Sequence, residues 1–134
     1  MGDELIAKLK RVLEAHGDII VAYLFGSAAR GELRPSSDVD VAILVSKDAT
    51  STTVPTLKSL QVGLQADLHE AAHRPVDLVI LNQASPDLVH RILRDGVLLV
   101  ERDRSARIRF EVRSRNDYFD VLPFLTRYRE APLR

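Results

Sequence analysis

The sequence predicts a single α/β domain, of the α+β kind, spanning residues 1–134 with a C-terminal helical segment at about 104–134. Three observations carry that prediction. Four apolar runs of strand length stand at residues 19–25, 39–45, 76–81 and 97–100. Segments with apolar residues at helical spacing precede, separate and follow them. No repeat, linker or low-complexity stretch interrupts the 134 residues, enough for one core.

The elements follow in order. Leu5, Leu9, Val12 and Leu13 repeat at helical spacing, so residues 3–16 predict a first helix. His16-Gly17-Asp18 ends it, with Gly17 free to turn left-handed. Residues 19–25 (IIVAYLF) form a strand, and 26–31 one short helical turn between Gly26-Ser27 and Gly31. Residues 39–45 form a second strand, close enough in sequence to pair with the first. It is nearly all apolar, which predicts a central position covered on both faces. A polar loop, Ser46–Thr53, leads to a helix opened by Pro55 and reaching about His73, with Leu57, Leu60, Leu64 and Leu68 as its buried stripe. Arg74-Pro75 stops that helix, and VDLVIL from Val76 is the third strand. Ser85 caps a helix with Pro86 at its first position, carried by Leu88, Val89, Ile92 and Leu93 to Asp95-Gly96. Residues 97–100 form the fourth strand, and residues 104–129 are helical, kinked or divided at Pro123. On that segment Ile108, Val112, Phe119 and Leu122 predict a core stripe. Arg115 falls on it, snorkelling or facing a buried acid.

Composition excludes several classes. Hydrophobic residues make up 46% and charged residues 28%, the ordinary globular range. A formal net charge of +0 gives no reason to expect nucleic-acid or membrane binding. There is no cysteine, hence no disulfide framework and no thiolate metal site. The amphipathic N-terminus is not a signal peptide, and no apolar run approaches the ~20 residues of a membrane span. The expectation is a cytoplasmic protein.

The chemistry concentrates between Gly26 and Asp40, in the order strand, Gly-Ser turn, polar connection, Asp-x-Asp, strand. On a strand, residues two apart share a face at about 6.6 Å, so Asp38 and Asp40 project together. Two such carboxylates reach one Mg²⁺ or bridge two. Asp77 is a lone charge in an apolar strand, costly unless paired or metal-bound. If that strand lies beside residues 39–45, Asp77 closes the site. Gly26 lets the backbone approach a phosphate, to which Ser27 and the following amides donate. Arg30, Arg34 and Ser37 lie in the connection, the arginines able to neutralise phosphate charge. Each feature also has a plain structural use, as turn, strand start or solvated loop. Their combination is what points to a metal–nucleotide site.

Gly26-Ser27, ten intervening residues, Asp38-x-Asp40 and a later strand carboxylate, Asp77, resemble the signature of nucleotidyltransferases of the DNA polymerase β superfamily. Size and layout resemble its minimal members, the MNT proteins, usually encoded beside a HEPN-domain partner. Ile92–Leu99, Arg107 and Phe110-Glu111 are similar to that family's C-terminal half. The resemblance implies a mixed sheet of about four strands flanked by helices, two Mg²⁺ ions and ATP as substrate. Asp38 and Asp40 would hold both metals. Asp77 would complete the one nearer the acceptor and help activate its hydroxyl. Gly26, Ser27, Arg30 and Ser37 would bind nucleotide. It further implies an antitoxin that adenylylates a tyrosine of a HEPN ribonuclease. A small-molecule acceptor such as an aminoglycoside hydroxyl, and a non-catalytic antitoxin acting by contact, stay open. So does oligomer formation, with itself or with the partner.

Two other signals compete. His69-Glu70-Ala71-Ala72-His73 matches the H-E-x-x-H zinc motif, but Arg74-Pro75 ends the helix at once and no third ligand is evident. A polar helix end is the plainer reading, with His16 and His90 read as surface residues. Residues 102–115 hold six arginines against Asp103 and Glu111, a solvated face or a surface for an acidic partner or nucleotide. The tail from Phe124, with Tyr128, has enough apolar and arginine content to cover a partner.

Overall fold

The computed structural model describes residues 2–32, 34, 36–46 and 54–130, without the side chains at 54–56 and 128–130. Helix α1 (Gly2–Glu14) leads to strands β1 (Ile19–Phe25) and β2 (Val39–Val45). Helix α2 (Val54–Ala72) crosses to β3 (Val76–Ile80), and a 3-10 turn (Leu81–Gln83) leads to α3 (Pro86–Asp95). Strand β4 (Val97–Glu101) and the long helix α4 (Arg104–Glu130) complete the order.

The sheet order is β3-β2-β1-β4, antiparallel except for the parallel pair β2 and β3. A parallel pair needs a crossover, and α2 supplies it. Strand β2 is central, and every residue in it is buried except Asp40, which is half-buried. Both faces are covered, which explains the continuous apolar run. Alternation sorts the side chains. Val39, Val41, Ile43 and Val45 pack with Leu9 and Leu13 of α1 and with Leu57, Leu64 and Leu68 of α2. Ala42 and Leu44 face the other layer, with Val21, Tyr23, Val89, Ile92 and Phe110. Leu64 and Leu68 are fully buried, so truncating either to alanine would cost about 2–5 kcal/mol.

Local signals act as read, with a few exceptions. Ser85 Oγ accepts from the Leu88 amide at 3.4 Å, capping α3. At the end of α1, Arg102 donates to the carbonyl oxygens of Glu14 and His16, a cation where the helix dipole favours one. Gly17 does not turn left-handed; among the described residues the positive-φ ones are Gly26, Gly31 and His73. Strand β4 extends to Glu101, and α4 runs through Pro123 without dividing. The expected core stripe of α4 is overturned. Ile108, Val112 and Phe119 are 44%, 48% and 56% exposed, whereas Phe110 and Ser114 are buried. Helix α4 meets the body through the 110–114 side, so a stripe of correct spacing lies beside that contact and stays largely exposed. Residues 47–53 of the polar loop, the tail 131–134 and the Tyr128 side chain lie outside the described residues. No described helix is long and apolar enough to cross a membrane.

Candidate functional site

The candidate site forms where β1 ends and where β2 and β3 begin. Phe25, the last residue of β1, pairs with Asp40 of β2. On the other side of β2, Asp40 is in register with Asp77 of β3. In a parallel pair, residues in register point to the same face, so both carboxylates leave the sheet side by side. Asp40 alternates with Val39 and Val41, which places it on the α3–α4 face of the sheet.

Gly26 turns the chain over this pair. Its φ is +72°, and a Cβ on it would collide with Oδ2 of Asp40. Glycine is required here twice over, for the left-handed backbone and for the close approach. Residues 26–31 form successive turns rather than a helix. The Arg30 amide donates to the Gly26 carbonyl at 3.3 Å, and the Glu32 amide to the Ser27 carbonyl at 2.9 Å.

Asp38 lies one residue before β2 and is exposed, so its projection beside Asp40 is not fixed by the strand. It is still close enough to be felt. Burial raises the Asp40 carboxyl above its ordinary value, and the charges of Asp77 and then Asp38 raise it further; Arg30 opposes them. The Arg30 guanidinium also pairs with Glu32 at 3.1 Å. Its charge reaches Asp95 at the end of α3 as well, which, held chiefly by Arg94, has a carboxyl below the ordinary range. Gly26, Arg30, Asp38, Asp40 and Asp77 are thus brought together.

Ser37 is engaged otherwise. Its Oγ accepts from the Arg34 amide at 3.0 Å, and its own amide donates to the Arg34 carbonyl at 3.0 Å. That hydroxyl builds the turn ahead of Asp38. The same Arg34 carbonyl accepts from Arg74 Nη1 at 3.1 Å. Arg74 follows the left-handed His73, φ +54°, and so anchors the connection from the end of α2. In the sequence Arg74 reads only as part of a helix stop; its use depends on a neighbour 40 residues away. Leu33 and Pro35 lie outside the described residues.

The donor set fits a divalent cation in kind. Three hard oxygen ligands repel one another, and a cation would relieve that repulsion. As placed, however, the three carboxylates do not close on one point. Among the described residues no group of three or more His, Asp or Glu side chains is arranged to hold a metal ion. The H-E-x-x-H stretch fares worse. His73 lies beyond the end of α2 with φ +54°, so the two histidines do not share a helix face. His90, read as a surface residue, is half-buried and stacks on Tyr118 with ring centroids 3.6 Å apart.

Residues 7–105 match the family profile described as polymerase beta, nucleotidyltransferase. The spectinomycin 9-adenylyltransferase of Campylobacter jejuni is 27% identical over 82 residues, covering 61% of this chain and 31% of that protein. The protein adenylyltransferase MntA of Aphanizomenon flos-aquae is 30% identical over 81 residues, covering 58% of this chain and 54% of that protein. The chain therefore spans about a third of the first relative and about half of the second. Among solved structures, a toxin–antitoxin crystal structure with AMP-PNP superposes with a TM-score of 0.72 at 25% identity, covering 87% of this chain and 88% of that one.

Proposed function

Because the chain belongs to the polymerase beta nucleotidyltransferase family, we propose that it transfers AMP from ATP to a hydroxyl of a protein, as an antitoxin acting on a tyrosine of a HEPN-domain ribonuclease. The observation that carries this reading is the in-register pair Asp40 and Asp77 beneath the Gly26 turn, with Asp38 beside it. Two relatives support the acceptor class. One is named protein adenylyltransferase, and the other is a toxin–antitoxin structure with an ATP analogue.

In this reading Asp38, Asp40 and Asp77 would hold Mg²⁺. When bound, the metal would supply charge neutralisation for the attacking and leaving oxygens. The backbone at Gly26 and the Ser27 hydroxyl bind the outer phosphates, and Arg30 offsets their charge. Asp77 orients the acceptor hydroxyl and takes its proton. The acceptor oxygen bonds to the α-phosphorus, the bond from that phosphorus to the bridging oxygen breaks, and pyrophosphate leaves. AMP remains on the acceptor. Ser37 contributes by shaping the turn before Asp38.

The test is transfer of label. The protein is incubated with α-labelled ATP, Mg²⁺ and either the HEPN-domain product of the adjacent gene or spectinomycin, beside an Asp38→Ala/Asp40→Ala variant. Label on the HEPN protein that disappears in the variant is the expected result. Label on spectinomycin alone would assign a small-molecule acceptor. Toxin neutralisation that survives in the variant would make this a binding antitoxin.

A further inference from the structure

We propose that the exposed ridge of α4, beside its groove with α3, docks an acidic amphipathic helix of the acceptor protein, with Ile108, Val112 and Phe119 as anchors and Arg115 as the charge that selects it. The proposal rests on a protein acceptor and adds where that acceptor is held.

Arg104, Ile108, Val112, Arg115, Phe119 and Leu122 follow one another at spacings of four, four, three, four and three. That is one ridge of an α-helix, and the alternation of three and four is the seam another helix packs against. The ridge runs beside the face by which α4 meets the body through Phe110 and Ser114, and its Arg115 and Phe119 border a groove shared with His90, Leu93 and Arg94 of α3. Three of its four large apolar side chains, Ile108, Val112 and Phe119, are between 44% and 56% exposed, and Leu122 is half-buried. Single exposed apolar residues are ordinary, but a contiguous row on one helix marks an interaction surface.

Charge identifies the occupant. Arg115 sits on the seam and Arg104 at its end, with Arg109 flanking. None of the three has an ion pair among the described residues. Glu111, one turn before Arg115, is already engaged by Tyr23 and Arg107. No acidic residue lies on the ridge itself. A helix that covers it must bring apolar side chains for Ile108, Val112 and Phe119 and a carboxylate for Arg115. A second copy of this chain does not qualify. Arg115 stands at the middle of the seam, so a two-fold antiparallel pairing would set Arg115 against Arg115, an unfavourable like-charge contact.

The experiment measures binding separately from transfer. Dissociation constants for the HEPN-domain product of the adjacent gene are determined for the wild type and for Phe119→Asp, Arg115→Glu and Arg115→Lys. Circular dichroism checks that each is folded. Phe119→Asp and Arg115→Glu should weaken binding by about tenfold or more. Arg115→Lys should keep it within about threefold. A wild type that binds without labelling would sink the transfer reading and leave the docking face standing. Unchanged binding in Phe119→Asp and Arg115→Glu would overturn the docking face. So would a wild type that does not bind this partner, or a self-association lost in Phe119→Asp.

Discussion

Asp40 has the least comfortable environment in the candidate site. It is half-buried, it lies in register with Asp77, and the left-handed turn at Gly26 passes directly against its carboxylate. Its carboxyl is raised above the ordinary value of 3.8, first by burial and then by Asp77 and Asp38. The sign for stability follows from linkage. The folded chain holds this proton to higher pH than the unfolded chain does. The contribution to stability is therefore fully present below about 3.8 and is lost as pH rises through the folded value. Asp40→Asn removes the ionisation while keeping the shape. Without divalent cations, its Tm should match the wild type near pH 4 and exceed it progressively toward pH 7, while nucleotidyl transfer is abolished. Parallel melting curves across that range would contradict the assigned repulsion.

Between elements, the strongest polar tie links α4 to the sheet. Tyr23 of β1 donates to Glu111 Oε1 at 2.8 Å, and Arg107 Nη1 lies 3.0 Å from both Glu111 oxygens while also pairing with Glu101 of β4. Burial, then the bond to Glu111, pushes the Tyr23 phenol above its ordinary value, so it stays a donor throughout the working pH range. Tyr23→Phe should cost about 1–2 kcal/mol in denaturant unfolding, since Glu111 keeps Arg107 as its partner. A loss below a few tenths would mean that α4 is held by Phe110 and its apolar neighbours alone. This tie was not legible in the sequence. Tyr23 reads there as one more apolar strand residue, and Glu111 as a minority charge among arginines. The helices themselves were legible because apolar spacing and caps are local: Leu64 and Leu68 are buried as spaced, and Ser85 caps α3. The stripe on α4 shows the limit. Periodicity finds an apolar ridge but not which neighbour covers it, and here the body covers the adjacent face.

At the scale of the molecule, the site is a product of topology. Asp40 and Asp77 are 37 residues apart in sequence, and only a parallel β2–β3 pair with α2 as crossover sets them in register. The isolated charge in an apolar run announced Asp77, while its partner depended on strand order. The Gly26 turn was legible because a glycine between two apolar runs has few other uses. The anchoring of the same loop by Arg74 was not. Three carboxylates, from the second residues of two strands and from the residue just before β2, repel one another in the bare protein, and the whole fold carries that cost. Whatever binds them should then stabilise the entire domain, since a ligand of the folded state alone contributes RT ln(1 + [L]/Kd), about 2.7 kcal/mol at a hundred times Kd. Mg²⁺ with a non-hydrolysable ATP analogue should therefore raise Tm in a concentration-dependent way, with a smaller rise for Mg²⁺ alone. Asp38→Asn/Asp40→Asn should start from a higher Tm at pH 7 and show no further rise with Mg²⁺. The pair of outcomes is diagnostic. Relief of repulsion alone would give the first, and only loss of a cation site at these residues would give both. A Tm of the double variant that climbs with Mg²⁺ as steeply as the wild type would place the cation elsewhere on the molecule.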